Sequence, residues 1–218
     1  MEFTRQKHTA KVVDMLEKAY PERGTALEFS DPWQLLIATI LSAQCTDVMV
    51  NKVTPGLFEA YADPCALGHA EIGDVERIVK PTGFYHNKAK SIVAASLVLC
   101  EQWHGVVTPD LAVLTKLPGV GRKTANVVLA HAFGQQAVVV DTHVKRLSYR
   151  IGLSESTDPV QVEQDIMAVV PKRHWNALCD AMIAHGRSIC DARRPDCAAC
   201  PINQLCPKNG VVQKPRSG

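Results

Sequence analysis

Apolar residues recur every three or four positions along most of the chain, the spacing of one face of an α-helix. Trp33, Leu36, Ile37, Ile40 and Leu41 form such a stripe. It follows Asp31-Pro32, an N-cap with proline at the first helical position, where the missing N–H breaks no helical bond. Similar starts occur at Asp63-Pro64, Thr108-Pro109 and Asp158-Pro159. Ala89, Ile92, Val93, Leu97, Cys100 and Trp103 make a second stripe closed by Gly105, and Val12, Val13, Leu16 and Ala19 a third before Pro21. Only residues 137–140 read as extended, too few to found a sheet. The pattern predicts an all-α fold of helices about two to five turns long, joined by short loops. The longest apolar runs, 35–41 and 92–100, fall short of the roughly 18 residues a membrane helix needs, and residues 213–218 read as a polar tail.

Composition changes this picture little. With 218 residues, 46% hydrophobic and 21% charged, the chain suits one large domain or two small ones and excludes a disordered or collagen-like protein. Residues 1–7 carry no apolar core or cleavage site, so a cytoplasmic protein with reduced thiols is expected. Charge adds more. The net is only +2, yet Lys116, Arg122, Lys123, Lys145, Arg146 and Arg150 are opposed by Asp141 alone across residues 116–150. Arg187, Arg193, Arg194, Lys208, Lys214 and Arg216 face only Asp191 and Asp196 after residue 186. Two basic segments on a nearly neutral chain predict a face directed at a polyanion.

Of the eight cysteines, Cys190, Cys197, Cys200 and Cys206 crowd into the C-terminal stretch. Four thiolates so close in sequence can converge on one metal or one cluster. Zinc sites usually pair two short loops across a spacer, whereas a single short loop inside a compact run is closer to iron–sulfur ligation. The spacing leaves both open. Cys45, Cys65, Cys100 and Cys179 lie in or near helical apolar patterns and read as core thiols.

Leu117-Pro118-Gly119-Val120-Gly121-Arg122-Lys123-Thr124-Ala125 lies between a short helix and an apolar one. Proline and two glycines predict a tight hairpin whose N–H groups, with the following helix N-terminus, can hold one phosphate. Lys123 then faces the positive end of a helix dipole, and partial burial would add to the effect, favouring the free amine that a nucleophile needs. Asp141 ends the extended segment and reads as an ionised N-cap of the next helix.

These residues closely resemble the endonuclease III family of helix-hairpin-helix DNA glycosylases over nearly the whole chain. Leu117 to Leu129 resembles the family hairpin, and Val140-Asp141-Thr142-His143 its catalytic-aspartate segment. Leu41-Ser42-Ala43-Gln44-Cys45-Thr46-Asp47 is similar to its early signature, and His185-Gly186-Arg187 with the four late cysteines to its [4Fe–4S] segment. The resemblance implies two helical domains flanking a DNA-binding cleft. Residues 25–135 would form a helical barrel ending in the hairpin, and 1–24 plus 136–218 the cluster domain.

It also implies a bifunctional glycosylase and abasic-site lyase acting on oxidised pyrimidines in damaged double-stranded DNA, as a monomer. Lys123 and Asp141 would be catalytic, and Cys190, Cys197, Cys200 and Cys206 would ligate a [4Fe–4S] cluster. DNA contacts are implied for Gln44, Asp47, Phe84, Gly119, Gly121, Arg122, Thr124, His143, Arg187, Arg193 and Arg194. Gln44 matches the residue that fills the hole left by a flipped nucleotide, and Phe84 an apolar wedge that is leucine in many relatives. Thr115 stands where some relatives carry glutamate. Adenine glycosylases share the hairpin, aspartate and cluster but lack the hairpin lysine. A non-catalytic iron–sulfur DNA-binding protein would need neither Lys123 nor Asp141.

Overall fold

The computed structural model describes residues 2–21 and 24–211, with the side chains of 2–6 left aside. Residues 213–218, the expected polar tail, lie outside the described residues. Every regular element among the described residues is helical, as the pattern predicts. The chain divides into two units, Thr25–Gln135 and a discontinuous one of Met1–Gly24 with Gln136–Gly218.

In the continuous unit, α2 (Pro32–Leu41) is the central element. Asp31 caps it as expected, accepting from Gln34 N at 2.8 Å, with Pro32 in the first turn. Trp33 and every residue from Leu35 to Leu41 are buried, so this helix is covered on nearly all sides and its polar atoms are satisfied internally. Trp33 Nε1 donates to Ser96 Oγ at 3.1 Å. Around it pack α3 (Asp47–Ala60), α6 (Tyr85–Trp103) and α8 (Arg122–His131). The shorter α4 (Pro64–Gly68), α5 (Ile72–Val79) and α7 (Leu111–Leu114) complete the unit. Helix α7 departs from the predicted start. Asp110 rather than Thr108 is the cap, because its carboxylate can accept from both Ala112 N and Val113 N.

A second departure concerns the thiols. Cys65 on α4 and Cys100 on α6 form a disulfide, with Cα atoms 4.9 Å apart, where core thiols in a reduced chain were expected. Helix α4 packs closely against α6, and periodicity carries no information about which two cysteines such a contact brings together. Cys179 does behave as a core thiol, buried and with its pKa pushed up to about 12 by that burial.

The discontinuous unit comprises α1 (Glu2–Ala19), α9 (Thr142–Ile151), α10 (Pro159–Val169) and α11 (Trp175–Ser188). Helix α11 packs on both α1 and α9. Residues 137–140 enter it buried and without regular secondary structure. Asn176 Oδ1 accepts from Ala137 N at 2.8 Å, which satisfies an N–H that has no ladder partner.

Candidate functional site

The hairpin between α7 and α8 closes with Val120 N donating to Leu117 O at 3.1 Å. Its two glycines do different work. Gly119 has φ +75, and a Cβ there would stand 2.6 Å from Ser91 Cβ, so the hairpin docks on α6 only with glycine at this position. Gly121 has an ordinary φ of −87 as the N-cap of α8. A Cβ on it would meet nothing within 4 Å, so its bareness leaves open space beside the helix N-terminus instead of shaping the turn. Both glycines, Arg122 and Lys123 are exposed, and Thr124 is half-buried. The exposure of Lys123 removes the partial burial expected for it. Thr115 caps α7, its hydroxyl donating to Leu111 O at 2.8 Å.

Two non-glycine residues of the same unit adopt left-handed backbone. Gln44, at φ 52, follows α2, and Phe84, at φ 49, precedes α6. Such a conformation costs roughly 1–2 kcal/mol for a residue with a Cβ. Phe84 is also 65% exposed, so an apolar ring is held outward by a strained backbone, a combination that collects at functional sites. With Ala43, Asn87, Lys88 and Gly119 these two residues line a pocket of about 270 Å³. Asp47 lies in the first turn of α3, whose cap Thr46 accepts from Met49 N at 3.3 Å.

Asp141 lies in the other unit. It is the N-cap of α9, as expected, its Oδ1 accepting from Val144 N at 2.7 Å, and it is half-buried. His143 on the first turn of α9 faces Gly186 of α11, where a Cβ would come within 2.6 Å of His143 Nδ1. Arg187, one residue on, is exposed.

Beyond α11 the chain loops back to α9, and Cys190, Cys197, Cys200 and Cys206 line one cavity with Leu147 and Ile202. Among the described residues no three His, Cys, Asp or Glu side chains converge on single-ion geometry. Burial pushes the Cys200 and Cys206 thiols up, and the neighbouring cysteines of the group add to it. Four cysteine sulfurs lining one cavity are a soft donor set that fits a metal cluster, whose positive charge would favour their thiolate form. Between the first two cysteines, Asp191 accepts from Arg193 N and Arg194 N at 2.8 and 3.0 Å. Those bonds hold its carboxyl below the usual range and turn both arginines out into solvent.

Some basic residues do not join a surface face. Arg150 is 7% exposed and donates to Cys190 Sγ, Asp191 O and Ala192 O at 3.3, 2.7 and 2.8 Å. Arg146 donates to Gly186 O and Cys190 O, each at 3.0 Å. Both arginines pin the cysteine loop to α9, a role that charge counting cannot tell from solvent exposure. His185 had no role in the sequence reading beyond its segment. Its Nε2 lies 3.4 Å from Cys200 Sγ and its Nδ1 2.8 Å from the Tyr20 hydroxyl. Burial lowers its pKa to about 4, which keeps the ring neutral beside the sulfur. Lys88 was also missed, although its helical spacing with Ile92, Ser96 and Leu99 marks the buried face of α6.

Residues 37–172 match the model of the HhH-GPD superfamily base excision DNA repair proteins. The chain is 47% identical over 205 residues to endonuclease III of Synechocystis, covering 94% of each chain. It is 41% identical over 202 residues to that of Escherichia coli, covering 90% of this chain and 93% of the relative. Among solved structures, a trapped endonuclease III–DNA covalent intermediate superposes with a TM-score of 0.88 at 41% identity, over 93% of this chain and 96% of that one. A non-covalent endonuclease III–DNA complex gives 0.87 at the same identity, over 93% and 95%. Matches of this extent, across both units, make the chain a member of the endonuclease III family within the HhH-GPD superfamily.

Proposed function

We propose that this chain is a bifunctional DNA glycosylase and abasic-site lyase of base excision repair, removing oxidised pyrimidines from duplex DNA with Lys123 as nucleophile and Asp141 as its partner. The observation that carries the reading is an exposed lysine in the first turn of α8, beside the open backbone of Gly121. Its chemistry agrees with the family, since a relative 41% identical has been captured as a covalent intermediate with DNA.

A base inside a duplex is out of reach, so the nucleotide is flipped out at a cost of a few kcal/mol, least for a damaged base. Phe84 enters the stack and Gln44 fills the vacated place. The hairpin N–H groups of Gly119 and Gly121, with the α8 N-terminus, hold a backbone phosphate. Arg122, Thr124, Asp47, His143, Arg187, Arg193 and Arg194 extend the contact along the strand.

The deprotonated Lys123 amine attacks the anomeric carbon, and the bond to the damaged base breaks. Asp141 assists removal of the excess proton from Nζ as the departing base takes up a proton, and it stabilises positive charge developing on the sugar. The sugar ring then opens as C1′–O4′ breaks and O4′ takes a proton, which leaves a Schiff base between Nζ and C1′; loss of a C2′ proton expels the 3′ phosphate, so that β-elimination cuts the strand on the 3′ side. Cys190, Cys197, Cys200 and Cys206 would hold a [4Fe–4S] cluster, which when bound supplies a rigid anchor for the loop carrying Arg193 and Arg194. The enzyme acts as a monomer on damaged double-stranded DNA.

The test is borohydride trapping on duplex DNA containing thymine glycol, with single-turnover base release followed in parallel. Wild type should give a covalent complex. Lys123→Ala should lose trapping and strand cleavage while keeping abasic-DNA affinity, because phosphate contacts come mostly from backbone and arginines. Trapping of Lys123→Ala at the wild-type rate would assign the nucleophile to another amine, and no trapping at all would leave a DNA-binding protein without this chemistry.

A further inference from the structure

Phe84 presents an apolar ring to solvent next to a pocket of about 270 Å³ that could receive it. Burial favours collapse of the ring into that space. What opposes collapse is the backbone, since Gly83 at φ 70 and Phe84 at φ 49 both take positive values in succession. The turn needs something to hold it there. One side chain reaches back to its first peptide group. Lys88, in the first turn of α6, donates from Nζ to Thr82 O at 2.8 Å and from its backbone N–H to Phe84 O at 3.2 Å.

The backbone bond is the ordinary first bond of α6, so what lysine adds is the grip of Nζ on the peptide group before Gly83. Thr82 is itself fixed from behind, its hydroxyl donating to Val79 O at 2.8 Å. Lys88 is only 5% exposed, and among the described residues no carboxylate pairs with it. Burial lowers its pKa. An ammonium is a costly way to fill buried space when an apolar side chain of equal length would serve. Its use here calls for a function of the charge-assisted bond to Thr82.

We infer that Lys88 is a positioning residue for Phe84, holding the 82–84 turn so that the ring stands ready to enter a duplex. The inference rests on the proposed role of Phe84 as the wedge.

The experiment is a double-mutant cycle read by base opening. A duplex with 2-aminopurine beside thymine glycol is mixed with wild type, Lys88→Met, Phe84→Ala and the double variant. Thermal melting and affinity for undamaged duplex are measured alongside. Lys88→Met should slow opening roughly tenfold, within the range of coupling between neighbours in one hydrogen-bonded network. It should add nothing in the Phe84→Ala background. Lys88→Arg, which can still donate to Thr82 O, should restore most of the rate. Gly83→Ala offers an independent route if Lys88→Met does not fold. A Cβ on Gly83 meets nothing within 4 Å, so this variant disturbs only the turn and should reproduce the loss.

Independent, multiplying effects of Lys88→Met and Phe84→Ala would overturn the inference. So would normal opening by Lys88→Met while Phe84→Ala is slow, an outcome that leaves the wedge reading standing. Normal opening by Phe84→Ala would instead remove the wedge reading, and the inference with it.

Discussion

At the scale of single residues, the site separates groups that shape the backbone from groups that do chemistry. Asp141, the proposed catalytic carboxylate, also shapes the backbone, because it caps α9 through Val144 N. Asparagine caps a helix about as well as aspartate but carries no charge. Asp141→Asn should therefore melt within a few degrees of wild type and bind damaged duplex normally, while base release in single turnover falls about 10²- to 10⁴-fold. The hairpin glycines separate the other way. Gly119→Ala places a Cβ at φ +75 and 2.6 Å from Ser91 Cβ, and should destabilise the protein by at least about 1 kcal/mol. A bulky residue at Gly121 meets open space, so melting should be unchanged while affinity for damaged and undamaged duplex drops together across salt concentrations. Reversed outcomes would mean that the phosphate approaches from another side. Both glycines were legible in the sequence as one motif. Their division of labour was not, because it depends on Ser91, 28 residues earlier in the chain.

At the scale of elements, the helices follow from local rules, and the links between them do not. Asp31, Asp63 and Asp158 cap α2, α4 and α10, each with proline in the first turn. That agreement arises because a cap satisfies N–H groups within its own first turn, whatever the rest of the chain does. The Cys65–Cys100 bond lacks any such local signature. It closes a loop with a sequence separation of 35, and the chain-entropy model gives about 3–4 kcal/mol for a loop of that length. Reduction with a membrane-permeable-size phosphine, or Cys65→Ala with Cys100→Ala, should lower the melting temperature of the oxidised protein by several degrees. An equal melting temperature with and without reductant would show that the bond adds no constraint to the unfolded chain. Because α4 lies away from the hairpin in sequence and the bond stays within one unit, base release at low temperature should persist in the reduced protein.

At the scale of the molecule, the chain leaves one unit and returns to it: Met1–Gly24 folds with Gln136–Gly218. The cysteine loop depends on that return, because Arg150 of α9 holds Cys190, Asp191 and Ala192, and Tyr20 at the end of α1 meets His185. Cys197→Ser should give a protein with less iron and less visible absorbance, a lower melting temperature, and weaker binding to damaged and undamaged duplex together. Full DNA affinity in a variant lacking iron would separate the loop from the DNA interface. Sequence by itself determined the helical class, most helix starts, the hairpin, the late cysteine group and the family, because each is carried by residues near one another in the chain. Tertiary structure alone decided which cysteines pair, that Arg150 turns inward, that Lys123 is exposed, and that Lys88 is buried against the turn before Phe84. Those outcomes depend on what a distant segment places beside a side chain, and solvation, strain and hydrogen bonding are set by that neighbour rather than by the residue itself.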